Sequence, residues 1–199
     1  MSIVIRDVRE HELDSVLALN NAAGPGILAM DAARLRSFWE HADYFRVAEE
    51  DGLLAGFLVA FANDAPHDSP NFLWFRERYP KGFLYVDRIV IAGTRRGAGD
   101  GRVFYGDVQS FAEARQPALA CEVFLEDVSH PALLFHGSFG FREVGQHVMP
   151  GVGRRAAMLM KELCSFPWVR DTYGTTLPDQ PWLAARPLPG RKPQRATGT

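Results

Sequence analysis

The sequence is short of cysteine, with two in 199 residues, Cys121 and Cys164. They form no C-x-x-C pair and no disulfide framework, so both are expected to be reduced structural thiols, with the chain cytoplasmic. No apolar run reaches the length of a membrane span, because Asp87 and Arg88 interrupt the best candidate. The start of the chain lacks a basic region followed by an apolar core, so no secretory signal is expected. The six histidines show neither H-E-x-x-H nor any comparable ligand spacing, which argues against a metal site. Neither sign of charge is in excess: 22 basic against 24 acidic side chains leave a net charge of −2. That balance gives no electrostatic case for nucleic acid as a partner. No internal repeat is visible.

What is present is ordinary for a globular chain, 47% apolar and 23% charged, and long enough for one well-buried domain with extras. Residues 3–8 alternate as a strand, and 9–22 have helical spacing through Leu13, Val16 and Leu17 until Gly24-Pro25-Gly26 breaks it. Asp31 has the chemistry of an N-cap for a second helix. Two apolar runs around Glu50-Asp51-Gly52 predict a hairpin. The aromatic segment "SPNFLWFRERY" is either a short helix packed on the core or a lid, with Trp74, Phe75 and Tyr79 as the wall of a pocket. "FLYVDRIVIA" predicts a strand, residues 102–115 a helix, "ALACEVFLE" a strand, and Pro131 the first turn of another helix. Two strands around "PGVG" follow. The composition then changes: six of the 13 prolines lie beyond Cys164. The expected organisation is a domain over 1–163 and an extended tail over 164–199. The element order implies an α/β (α+β) fold with a mixed central sheet and helices on both faces.

Between the fourth predicted strand and its helix stands "TRRGAGDG", with Gly97, Gly99 and Gly101 in five residues. A strand, a glycine-rich turn and a helix make an anion site, because the first helical turn has unpaired N–H groups and the positive end of its dipole. The segment lacks the G-K-[ST] of a P-loop, and Arg102 stands where a dinucleotide fingerprint needs its third glycine. It does satisfy R-x-x-G-x-G through Arg96, Gly99 and Gly101.

That pattern resembles the pyrophosphate loop of the Gcn5-related N-acetyltransferase (GNAT) superfamily. "FLYVDRIVIAGTRRGAGDGRVFY" is similar to the family's central strand, loop and helix, and "CEVFLEDVSHPALLFHGSFGFREVG" to its later strand, helix and closing strand. The resemblance covers about 3–163 in element order. It implies a GNAT-like, mostly antiparallel sheet and acetyl-CoA as co-substrate. It places the coenzyme against Ile89, Val90 and Ile91, against Arg96, Gly97, Ala98, Gly99, Asp100, Gly101 and Arg102, and against Ser129. There are departures. Gly93 stands where the family often has proline, and Asp100 where it has an apolar residue. Ser129 replaces a common asparagine, and His136 a common tyrosine. A carboxylate at position 100 requires a partner such as Arg95, Arg96 or Arg102.

Acetyl transfer from a thioester to an amine needs a base for the amine proton, a donor for the carbonyl oxygen and a way for the thiolate to leave. The resemblance points to a backbone N–H near residues 89–91 for the carbonyl. Asp87 is the first candidate base: on an undisturbed strand it shares a side with Ile91, Arg88 points away, and apolar neighbours would raise its pKa. The alternative for Asp87 is a structural ion pair with Arg88, and Glu122 is then the base. His136 is the candidate acid at the coenzyme sulfur, or else a packed helix-face residue. The expected activity is direct transfer of an acetyl group to the amine of a small molecule or peptide. An acyl-CoA-binding sensor without turnover is the alternative, and a homodimer is left open.

Overall fold

The computed structural model describes residues 3–125 and 131–173. Seven strands form one sheet: β1 (Val4–Asp7), β2 (Tyr44–Glu50), β3 (Leu53–Ala62), β4 (Leu84–Ile91), β5 (Ala118–Phe124), β6 (Arg142–Val148) and β7 (Arg155–Glu162). Their order is β1-β2-β3-β4-β5-β7-β6, and every neighbouring pair is antiparallel except β4 with β5. Six helices cover it: α1 (Leu13–Asn21), α2 (Ala32–His41), α3 (Pro70–Arg78), α4 (Asp100–Glu113), α5 (Pro131–Ser138) and α6 (Phe166–Tyr173). Helices α1, α2 and α3 bury Val16, Phe38, Phe72 and Phe75 against one face. On the other face, α4 buries Phe104, Val108 and Phe111. The mixed, mostly antiparallel sheet with helices on both faces matches the sequence-based expectation.

Local chemistry accounts for the boundaries. Asp31 adopts an extended conformation and its side chain accepts from Arg34 N at 2.7 Å, capping α2. Asp31→Ala is expected to cost about 1 kcal/mol of stability, read as a shifted denaturation midpoint. Asp51, at φ 51°, turns the β2–β3 hairpin. Pro70 opens α3, where its missing N–H costs nothing. The aromatic segment is therefore a packed helix: Phe72 and Phe75 are fully buried, and Trp74 lies over Gly145 of β6.

The expectation of an extended tail needs correction at its start. Residues 166–173 form α6, with Phe166 packed on the core, the Arg170 guanidinium 5.7 Å from the Phe166 ring, and Trp168 edge-on to Tyr173. The last two contacts lie within the helix and support it locally, while Phe166 is its contact with the core. The rest of the tail lies outside the described residues. No helix among the described residues is long and apolar enough to cross a membrane.

Two features of β4 position the site. Its parallel pairing with β5 covers only Leu84↔Leu119 and Tyr85↔Ala120, after which the strands diverge. Its pairing with β3 skips a residue: Val59 faces Arg88 while Ala60 faces Val86, so Asp87 is the extra residue of a β-bulge. A bulge bends its strand and shifts the alternation of side chains by one.

Candidate active site

The gap between β4 and β5 opens into a cavity of about 1270 Å³. It passes through the sheet. On the α4 face it is lined by Ile89, Ile91, Cys121, Phe135 and His136, and on the α1–α3 face by Asp87, Arg88, Glu122, Phe124 and Met149. Loop 22–31 roofs the second half, and three arginines hold that loop by its carbonyls: Arg88 to Leu28 O (3.1 Å), Arg96 to Ala23 O (2.8 Å) and Arg154 to Pro25 O (2.7 Å). Among the described residues no group of three or more His, Cys, Asp or Glu could hold a metal ion.

The glycine stretch forms one rim. Arg96, Gly97, Gly99, Asp100, Gly101 and Arg102 all border the cavity; Ala98 does not, and Ser129 lies outside the described residues. Gly99 is the N-cap of α4 at φ 100°, a conformation strained for any L side chain. The bonds of Arg102 N and Val103 N to Gly99 O start the helix. The preceding amides, at Asp100 and Gly101, thus belong to the first turn, whose N–H groups have no intrahelical acceptor. Gly101 serves a different end: a Cβ there would lie 3.1 Å from the Phe135 ring, so glycine allows α4 and α5 to approach. Asp100 is buried, with its carboxylate turned onto Arg95 at 3.2 Å, and Arg95 also pairs with Glu50 at 2.7 Å. The acidic residue at this rim is thus neutralised within the fold.

On β4, Ala92 N donates to Ala55 O. Antiparallel alternation then turns the N–H groups of Ile91 and Ile89 away from β3 and toward the gap, where Val86 onward has no strand partner among the described residues. Both residues line the cavity wall.

Of the two expectations for Asp87, the geometry favours the ion pair with Arg88 over the base. The bulge brings Asp87 and Arg88 to the same face of the sheet, so Ile91 is no longer on Asp87's side. Arg88 pairs with Asp87 at 3.1 Å and reaches on to Asn20 Oδ1, and His67 Nε2 lies 3.7 Å from the same carboxylate. Burial pushes the Asp87 carboxyl up, but Arg88 and His67 outweigh it and hold it at about 2. At neutral pH Asp87 is a fixed, paired anion.

Glu122 is the group with the opposite balance. Its side chain is half-buried and meets the cavity. Oε2 accepts from the Tyr85 hydroxyl at 2.6 Å and Oε1 from Asn71 Nδ2 at 3.1 Å. Burial, and then the neighbouring Asp87 charge, raise its carboxyl to about 7. Two carboxylates side by side with pKa values pushed apart divide the roles: Asp87 stays ionised and Glu122 exchanges a proton near neutrality.

His136 lies among the rings of Tyr105, Phe135 and Phe141 and is buried. Its Nδ1 is 2.6 Å from Ala132 O, an acceptor, so Nδ1 carries the proton. Burial lowers its pKa further, leaving Nε2 bare at neutral pH. In this tautomer His136 accepts a hydrogen bond, which does not support the expected donation to a leaving thiolate. Cys121 is buried and its thiol is pushed well up by burial, consistent with a structural role.

No protein-family model and no curated protein matches the sequence. Solved structures do match. Ard1 from Thermoplasma volcanium superposes with a TM-score of 0.66 at 15% identity, over 82% of this chain and 99% of that one. A protein assigned to the acetyltransferases of the GNAT family, from Desulfovibrio desulfuricans, gives 0.64 at 16% identity, over 82% and 100%. The chain has the GNAT fold. Arabidopsis thaliana Naa50, solved with the bisubstrate analogue CoA-Ac-MVNAL, gives 0.61 at 14% identity, over 81% and 99%. In this chain's version of the GNAT fold, sequence reasoning missed Asn71, Tyr85 and His67 around the two carboxylates. Their signal was weak: Asn71 and Tyr85 stand in segments whose apolar residues explain helix and strand without them, and His67 stands in a polar stretch between elements.

Proposed function

We propose that the chain is an acetyl-CoA-dependent N-acetyltransferase acting on an amine of a small molecule or peptide. The observation that carries this reading is the cavity through the split sheet, with the anion-binding loop at one end and Glu122 at the other. The coenzyme would lie on the rim of Arg96, Gly97, Gly99, Gly101 and Arg102, its pyrophosphate against the first turn of α4. Its thioester arm would enter the gap, where the N–H groups of Ile89 and Ile91 can stabilise charge developing on the carbonyl oxygen.

The acceptor would enter from the side of loop 22–31. Its ammonium gives a proton to ionised Glu122, directly or through a water, and the free amine attacks the carbonyl carbon. The C–N bond forms, the C–S bond breaks, and the proton that the nitrogen sheds as the amide forms passes to the departing coenzyme A thiolate, directly or through a water. Asp87, paired with Arg88 and His67, adds negative potential that favours the cationic amine and keeps Glu122 basic.

The test is acetyl-CoA presented with amino acids, polyamines, aminoglycosides and peptides, following thiol release and product mass. Expected is release that depends on one class of amine, with the acetyl group recovered on nitrogen. Tight coenzyme binding with no turnover on any amine would make the protein a coenzyme-binding sensor instead.

A further inference from the structure

Helix α3 is anchored by its aromatic residues, yet its second residue is Asn71, a fully buried amide. Its neighbours come from distant strands. Nδ2 donates to Glu122 Oε1 at 3.1 Å and lies 3.9 Å from Met149 Sδ, while Oδ1 is 2.9 Å from His147 Nδ1 on β6. The hydrogen accounting allows one arrangement when Glu122 is ionised. A carboxylate only accepts, so the amide nitrogen must face it. The amide oxygen then only accepts, so His147 must carry its proton on Nδ1. The Tyr85 hydroxyl fills the other carboxylate oxygen.

We propose that Asn71, held in orientation by His147, is a positioning residue for the Glu122 base, aiming its carboxylate and favouring the ionised form. The inference rests on the acetyltransferase reading, in which Glu122 takes the amine proton. It explains why a polar side chain occupies a core position beneath an aromatic helix, where an unpaired amide would be costly.

Other charges also act on Glu122. From β4, Asp87 opposes ionisation and Arg88 favours it, while Tyr85 donates a hydrogen bond. His67 faces Asp87 rather than Glu122. Behind β5, Cys121 and Tyr105 are held neutral by burial. His147 is half-buried beside Arg78, and both burial and that charge lower its pKa, so it is neutral where Glu122 titrates. Asn71 and His147 can be altered without touching any of these other groups.

Carboxyl ¹³C NMR of glutamate-labelled protein, titrated from about pH 4 to about pH 9, reads Glu122 without any acceptor. Its signal is assigned by its loss in Glu122→Gln. The wild-type midpoint is expected near 7. Asn71→Leu should raise it by about 1 to 2 pH units, the effect of losing a hydrogen bond to a charged acceptor. His147→Phe should raise it by less, because the amide is no longer held, and His147→Gln, which keeps a donor, should restore it. Unchanged midpoints with only a lower melting temperature would overturn the proposal and leave Asn71 as core filling. If Asn71→Leu does not fold, an unchanged midpoint in His147→Phe overturns it alone. Failure of the acetyltransferase reading is separate: the wild-type protein would then transfer no acetyl group to any amine, whatever the midpoints do.

Discussion

Glu122→Gln is expected to lower kcat/KM for acetyl transfer by about 10²- to 10⁴-fold at neutral pH, the range of a removed general base. The wild-type rate should rise with pH through about 7 as Glu122 ionises. The variant should lose that limb and recover only at high pH, where the amine deprotonates unaided. The same substitution should act on stability with the opposite sign. The folded carboxyl titrates at about 7 against an ordinary 4.5, so the native state binds this proton more tightly than the unfolded chain. Stability from this group is therefore present below about pH 4.5, falls as pH rises to about 7, and stays lost above it. Removing the charge should raise the melting temperature at pH 8 by a few degrees and change it little at pH 4.5, with about 2–4 °C for each kcal/mol recovered. Gln keeps partners for both Tyr85 and Asn71, since its amide can donate to one and accept from the other. A variant with the wild-type rate at every pH would remove Glu122 from the reaction. One that is slow at every pH, with no recovery, would make it a structural acid.

The glycine turn that opens α4 was legible because its signal is local. Positive φ at a helix N-cap requires glycine, and the strand, turn and helix around it have their own periodicities. The pairing of Asp100 with Arg95 was also within reach, since the two are five residues apart and a carboxylate at such a rim needs a partner. What decided between the two readings of Asp87 lies outside its own segment. The bulge at 87 is set by how β4 registers against β3, and the residues 84–91 alone read as an undisturbed strand. That one skipped pairing put Arg88 on the same face, inverted the expected pKa shift, and made the adjacent strand's Glu122 the group that titrates near neutrality. His136 likewise turned on a bond to its own helix, which spacing allows but does not announce. Asn71 had the faintest signal: one amide between Pro70 and Phe72, in a segment whose aromatics explain the helix without it.

Gly99→Val is expected to weaken coenzyme A binding by about 5- to 150-fold, the equivalent of about 1–3 kcal/mol of backbone strain. Nothing lies within 4 Å of a Cβ at this position, so the cost is conformational rather than a clash inside the protein. At φ 100° a valine either holds the native loop under strain or relaxes and turns the first N–H groups of α4 away from the rim. Binding a pyrophosphate must restore the native arrangement, so the strain reappears as lost affinity. Gly101→Val should behave differently. Its side chain would press on Phe135 from 3.1 Å, so the junction of α4 and α5 should loosen and the melting temperature fall together with affinity. Gly93→Ala is the matched control: it is the glycine just before the stretch, without positive φ and with open space around it, and should leave both quantities near wild type. Isothermal titration calorimetry with coenzyme A, read beside thermal denaturation, separates the three. Wild-type affinity in Gly99→Val would mean that the first turn of α4 does not hold the pyrophosphate. The basic side chains of Arg96 and Arg102 would then have to carry the anion, with an affinity that falls steeply with salt because both are exposed.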